Sequence, residues 1–467
     1  MTASTQTAPA PEAEPASGGY RAWVLAMLFV VYAFNFLDRQ IISILAIPIQ
    51  AELGLSDRQL GLLGGIAFAA LYSTLGVPIA WLADRTNRTW IITIALTVWS
   101  GFTALCGLAQ NFMQLFLARV GVGVGEAGGV APSYSLIADY FPPEKRARAL
   151  AIYSLGIPIG SAFGVVAGAQ IAGGAMGEDL DWRAAFIIVG VAGVLIAPLF
   201  KLTVREPKRG GLDPVKPKKP AADAGPVPAE GAAAEAVAAG GEPAKAPDQA
   251  DEKASFWAVL SLLSKKPSFW FLVLGASCSS MMGYGVFFWL PSFFARSFDL
   301  GIIDTGWLFG SVLFFGGTLG ILFGGILGDR LGAAKKSAYA IIPAIAFFLT
   351  FPMYVAGVLS PTPVIAVILF LIPTGLGLAW LGPTLSAFQH LAPPNMRAMA
   401  SAIFLLVNNL LGIGVGVYVL GEMSTLLTPT FGDEALRYSI MIGASLYVVA
   451  GIFFLIASRT IERDWEQ

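Results

Sequence analysis

From Ala22 the chain runs almost wholly apolar for a bilayer's width, breaks on a few polar residues, and then does so again and again. Such blocks lie near 22–48, 59–82, 90–109, 112–138, 149–173 and 184–203, and then near 267–295, 304–328, 337–358, 363–389, 399–424 and 437–459. Each approaches the ~20 residues a helix needs to cross the hydrocarbon core. The pattern predicts an all-α membrane protein of twelve transmembrane helices, six in 21–204 and six in 267–460. Residues 205–254 are Pro, Ala, Gly and charge, too polar to bury a core, and read as a disordered linker. Residues 1–20 and 461–467 read as tails, and 255–266 as an amphipathic helix lying on the membrane surface.

Composition narrows the class. The 467 residues are 56% hydrophobic and 13% charged, against roughly 25% charged in soluble domains. The first block is too long for a signal peptide and has no small-residue cleavage site behind it. Cys106 and Cys278 fall in different spans, so no disulfide framework is indicated. A net charge of −1 gives no reason to expect a nucleic-acid partner. No GxxxxGK[ST] occurs, so ATP does not drive the protein directly. GVGEAG within 119–129 has the GxGxxG spacing, but a dinucleotide fingerprint needs a strand before it; inside a span its glycines let another helix approach. The same reading applies to Gly156, Gly160, Gly164 and Gly168. The lone histidine, His390, reads as an ordinary interface residue. Neither a cofactor, a metal site nor an enzymatic reaction is expected.

The halves repeat. WLADRTNR (81–88) follows span two and ILGDRLGAAKK (326–336) follows span eight; FPPEKRARALA (141–151) and APPNMRAMASA (392–402) follow spans four and ten. Loops recurring at matching places mark duplicated transporter halves. With the termini inside, the outer loops hold only Arg58, Arg183, Arg296 and Arg437, which places both termini and the linker in the cytoplasm.

Deep charges are few: Asp38 and Arg39 in FNFLDRQ, and Arg119 and Glu126 on span four. The last two are seven residues apart and share a helix face. Two acids and two bases balance. One reading is a static ion-pair network that holds helices together; the other is a coupling and substrate site. Arginine stays protonated, so a proton carrier must be a carboxylate. Glu126, expected to lie deeper, is the first choice and Asp38 the second. Protonating an acid would free an arginine, Arg39 or Arg119, for an anionic headgroup. The second half has no deep charge and offers Met and aromatic residues instead, which suits a cavity charged on one side and greasy on the other. Asn35, Tyr134, Met281, Tyr284, Phe288, Trp380 and Asn408 are the expected lining, and an amphiphile with a polar head and alkyl tail the expected ligand.

These motifs together resemble the major facilitator superfamily. LADRTNR and LGDRLGAAKK look like its signature loop, and RVGVGVGE like its Arg-to-Glu segment; Ala83 stands where the signature has Gly. FNFLDRQ, RVGVGVGEAGGVAPSYSLIADYFPPEKRARA and LGIPIGSAFG are similar to spinster-like lipid transporters. The resemblance implies two pseudo-symmetric six-helix bundles rocking around a central cavity, a lysophospholipid or sphingoid substrate, and proton coupling through Asp38, Arg39, Arg119 and Glu126. It also implies a cytoplasmic gate of Asp84, Arg85, Arg88, Asp329 and Arg330, with Arg146 and Arg397 as further members; positive-inside anchoring is the plainer reading of these. The expected partners are the small amphipathic substrate, protons and membrane lipids, and the expected setting is a bacterial inner or plasma membrane with the protein as a monomer. A facilitator for small organic anions or drugs, and a non-transporting receptor or scaffold, are the alternatives.

Overall fold

The computed structural model describes residues 17–210, 212, 256–320, 336–393 and 396–465. Most of the predicted N-terminal tail and linker, the end of span eight, and the gate residues Asp329 and Arg330 lie outside the described residues.

Among the described residues, helices lie in all twelve expected stretches, in span eight as far as Gly320. The first half runs Gly18–Leu53, Asp57–Ala83, Arg88–Cys106, the pair Phe112–Glu126 and Val130–Tyr140, the pair Pro143–Ser154 and Gly156–Ala172, and Trp182–Thr203. The second runs Pro267–Phe298, Ile302–Gly320, Ala338–Val358, the pair Pro363–Ala379 and Leu381–His390, the stretch from Arg397 to Phe431, and Ala435–Asp464. Among the described residues nine stretches are long and apolar enough to cross a membrane; one of them, Met399–Asp464, holds two spans divided by a 3₁₀ turn at Gly432–Glu434. Span four falls short of that length because its helix breaks at residues 127–129. Polar side chains start several helices: Asn87, Asn111 and Asp181 each accept from a first-turn amide, and Ser56 with Gln59 forms a reciprocal capping box.

The same pairings recur in each half. Span one packs on span five and span three on span six; span seven packs on span eleven and span nine on span twelve. Across the halves, span two meets span eleven and span five meets span eight, with span one against span seven. This is a pair of pseudo-symmetric six-helix bundles.

The glycine row on span five fixes the register of span one. A Cβ at Gly160 would lie 2.8 Å from backbone atoms of Ala33, and one at Gly164 2.8 Å from the Leu37 carbonyl oxygen. Only glycine permits so close an approach. With Ala33, Leu37 and Ile41 against span five, helical periodicity turns Asp38 and Arg39 toward spans two, three and four. Pro158 in turn lacks an amide for the Ser154 carbonyl, and the helix breaks just there, at Leu155.

The short helix Phe256–Ser264 buries Val259 and Leu263 and leaves Trp257 exposed, an amphipathic arrangement. Both cysteines are unpaired thiols, Cys106 buried and Cys278 half-buried.

Candidate functional site

The described residues that flank the tails and the linker, 17–20, 204–210 and Phe256–Ser264, lie at one end of the bundle, the linker end. Span one begins there, where the Tyr20 hydroxyl donates to Thr203 O at 3.0 Å; Lys266 Nζ, just before span seven, donates to Asp464 O at 2.9 Å.

At the opposite, far end the halves are fastened together. Asp57, 7% exposed, receives both terminal nitrogens of Arg296 at 2.6 and 2.7 Å, together with Ser424 Oγ at 2.6 Å and Gln50 Nε2 at 2.9 Å. Arg58 and Glu422 form a second, more exposed bidentate pair. Below them a Cβ on Gly65 would lie 2.6 Å from the Gly414 carbonyl, and one on Gly306 or Gly310 would press on span five. Among the described residues, every hydrogen bond between halves lies at this end except one: Gln40 Nε2 donates to Phe287 O at 2.7 Å midway down. The chain is closed at its far end.

Beneath that closure is a cavity of about 280 Å³ between the halves, close to the lower bound of ordinary ligand pockets, ~300 Å³. Tyr134 lines it near the linker end and is 42% exposed, so the mouth is on that side. Arg39 and Arg119 are the charged residues of its wall. Asp38 and Glu126, both 0% exposed, lie behind them, with Asn35 beside Glu126.

The four charges are not equivalent. Arg39 Nε donates to Glu126 Oε2 at 2.5 Å. The guanidinium of Arg39 also lies over the rings of Phe36, Phe68 and Tyr72, 5.0, 4.9 and 4.3 Å from their centroids, contacts worth roughly 0.5–2 kcal/mol each. Arg119 lies 5.7 Å from the centroid of the same Phe68 ring, so both cations adjoin one aromatic side chain. Arg119 Nη1 makes a long 3.4 Å hydrogen bond to the main-chain carbonyl of Asp38. Among the described residues Arg119 forms no ion pair, and neither carboxylate oxygen of Asp38 has a hydrogen-bond partner. The Trp99 indole and the Thr103 hydroxyl are its polar neighbours, themselves buried and, among the described residues, without a hydrogen bond. A Cβ on Gly125 would stand 2.7 Å from Trp99 Cβ, so the glycines of GVGEAG bring span three against span four at this depth.

The opposite wall is less greasy than expected. Phe287, Phe288, Tyr284 and Trp380 supply apolar area, but Ser279, Ser280, Thr374, Asn408, Asn409, Tyr354 and Tyr447 also line it. Ser280 Oγ donates to Asn408 Oδ1 at 2.9 Å, and the Tyr354 and Tyr447 rings stack with centroids 5.6 Å apart. Hydroxyls and amides accompany the aromatics on that side.

Of the predicted lining, Tyr134, Tyr284, Phe288, Trp380 and Asn408 face this cavity. Met281 instead lines a second, apolar cavity of about 180 Å³ among spans seven, eleven and twelve. Asn35 is buried behind the wall.

Of the predicted gate residues, Asp84 and Arg85 are exposed at the linker end, with Arg85 over the Trp81 ring at 4.0 Å. Arg88 is buried, and among the described residues its partners lie in its own half, Asp139 at 2.5 Å and Glu206 at 2.7 Å. Arg146 Nε donates to Phe141 O at 2.9 Å. Arg397 opens the helix Arg397–Asn409, and its side chain lies outside the described residues.

The far-end fastening is not legible in the sequence. Ser56-Asp57-Arg58-Gln59 reads as a helix start, and Arg296 as an outer-loop cation; their pairing needs the fold. Phe68 and Tyr72, four apart on one face of span two, were legible as an aromatic patch, but not as the cradle of Arg39.

Residues 28–417 match the family described as Major Facilitator Superfamily. Curated relatives include an MFS-type efflux pump of Mycolicibacterium smegmatis, 31% identical over 449 residues, covering 96% of this chain and 95% of the relative. Another is Protein spinster homolog 1 of Bos taurus, 26% identical over 476 residues, covering 97% of this chain and 83% of the relative. Among solved structures is a bacterial homologue of the human lysosomal transporter Spinster in an inward-facing, unoccupied conformation. It superposes with a TM-score of 0.81 at 30% identity, covering 97% of this chain and 100% of that one.

Proposed function

The chain belongs to the major facilitator superfamily and is a multi-pass membrane transporter related to Spinster, not an enzyme; from that premise we propose that it moves an amphipathic lipid with an anionic head, of lysophospholipid or sphingoid type, coupled to protons. The observation that carries this reading is the layering of charge: two arginines face the cavity and two carboxylates stand behind them. An anion entering from the linker end meets cations first. Aromatic and apolar side chains on the other wall accommodate a tail, and their neighbouring hydroxyls and amides offer hydrogen bonds to the head's neutral atoms.

The geometry favours Asp38 over Glu126 as proton carrier, the reverse of the order expected from depth. Glu126 is held by Arg39 at 2.5 Å. Asp38 has no counter-cation bonded to its carboxylate, and a buried anion without partners is costly, so this arrangement suits a protonated Asp38. Neutral Asp38 leaves Arg119 available to the head. Loss of the proton creates a rival anion beside Arg119, which displaces the head. Proton and lipid anion then bind together, and rocking of the bundles moves both.

With the termini and linker in the cytoplasm, as the basic residues suggest, the described conformation faces inward. Asp84 and Arg85 then belong to the gate that closes the linker end in the other state.

The test is purified protein in liposomes with a trapped pH dye. An anionic lysolipid is expected to stimulate proton flux while a small hydrophilic anion does not. Equal stimulation by both would overturn the lipid assignment, and no response to either would overturn the proton coupling.

A further inference from the structure

Span six ends at Thr203, yet the chain does not leave the bundle there. Residues 204–210, of which 205 onward were expected to begin a disordered linker, cross under the first half as a strap. The Tyr20 hydroxyl accepts from Arg205 N at 2.9 Å, and the Tyr140 hydroxyl donates to Arg205 O at 2.6 Å. Glu206 then meets the start of span three: Oε1 accepts from Arg88 Nε at 2.7 Å and Oε2 from the Thr89 amide at 3.1 Å. Arg209 meets the end of span two. Its guanidinium donates to the carbonyls of Ala83 and Thr86 at 2.7 and 2.6 Å, and to that of Asp84. Gly210 N donates to Asp139 Oδ1 at 2.9 Å, whose other oxygen holds Arg88.

The charges are matched to the helix ends. A helix leaves carbonyls unpaired at its C-terminus and amides unpaired at its N-terminus, and favours a cation at the first and an anion at the second. Residues 84–87 join the C-terminus of span two to the N-terminus of span three. The strap places Arg209 on one end and Glu206 on the other, so the turn carrying Asp84 and Arg85 is held from both sides while those two side chains stay exposed.

We propose that Glu206 and Arg209 are positioning residues for the linker-end gate: the strap sets the conformation in which Asp84 and Arg85 can close against the second half. This rests on Asp84 and Arg85 being gate residues. The strap is also the first segment of the chain joining the halves, so the gate is held by that connection itself.

The experiment measures the ratio of linker-end-closed to linker-end-open protein from spin-label distances between the halves, in the full chain reconstituted in lipid, alongside affinity for an anionic lysolipid. Arg209→Ala is expected to lower the closed fraction about 5-fold without changing lysolipid affinity. Arg209→Lys, which keeps a cation near the carbonyls, should restore part of the loss. Asp84→Asn should also lower the closed fraction, and Arg209→Ala should add nothing in its presence. A normal ratio in Arg209→Ala beside a shifted one in Asp84→Asn overturns the strap and leaves the gate standing. A normal ratio in Asp84→Asn retires the gate, and the inference with it. Additive effects overturn the inference too, since the strap would then act elsewhere. Thermal unfolding of each variant separates loss of position from loss of fold.

Discussion

Arg39 and Glu126 lie 87 residues apart in sequence and 2.5 Å apart in space, one facing the cavity and the other buried behind it. Breaking a buried pair from one side leaves the other charge uncompensated and costs about 3–5 kcal/mol. Glu126→Gln is therefore expected to lower the unfolding temperature of the detergent-solubilised protein markedly. Asp38→Asn, a near-isosteric change at a carboxyl that makes no hydrogen bond and no ion pair among the described residues, should cost under about 1 kcal/mol. Equal losses in the two variants would show that Asp38 is held as an anion.

Arg119 should matter for ligand more than for fold. It forms no ion pair among the described residues and lines the cavity, and a hydrogen bond to a charged group contributes ~1.5–3 kcal/mol. Arg119→Gln is expected to weaken binding of an anionic lysolipid by about 10-fold or more, while thermal stability stays unchanged or rises. Titration calorimetry and a melting curve on one preparation check both halves of this statement.

The far-end fastening sets the balance between conformations. Removing the Arg296 guanidinium strands Asp57, which is nearly buried, and a loss of about 2 kcal/mol moves a two-state ratio roughly 30-fold. Arg296→Ala should therefore raise the far-end-open population, read as labelling of cysteines introduced at the far end. Glu422→Gln, at a pair whose arginine is 49% exposed, should do much less, because exposed pairs contribute ~0–1 kcal/mol. Similar labelling in the two variants would contradict the assignment of Asp57 as the hub.

Span five's glycines are expected to tolerate no side chain. Gly164→Val forces span one away from Leu37 and misplaces Asp38 on the next position; overpacking of this kind costs about 1–3 kcal/mol. Gly76→Val, where a Cβ has nothing within 4 Å, is the matched control. Transport assays in liposomes should show a lost rate in the first and a retained one in the second.

Much of this was legible before any coordinates. Long apolar blocks can only be membrane helices, so span positions and the duplicated halves followed from hydropathy and repeated loops. The four deep charges stood out because ionisable residues are costly in lipid. Their layering did not: which of two adjacent residues faces a cavity depends on where span one seats against Gly160 and Gly164, and the sequence shows the glycine row without its partner. The same limit hid Met281's true place, since one residue's rotation on span seven decides between two cavities. Arg88 carried the signature-loop pattern but turns back to Asp139 and Glu206, because Glu206 lies in a stretch whose composition reads as linker. Composition averages over the Pro- and Ala-rich region and misses seven residues tied to helix ends.

A proton on Asp38 and a lipid anion on Arg119 are expected to bind together. Affinity for an anionic lysolipid, measured at an acidic and an alkaline pH in wild type and in Asp38→Asn, tests it most directly. Binding is expected to be tighter at acidic pH in the wild type, and in Asp38→Asn to be tight and no longer vary with pH. An Asp38→Asn variant that keeps the wild-type pH dependence would contradict it.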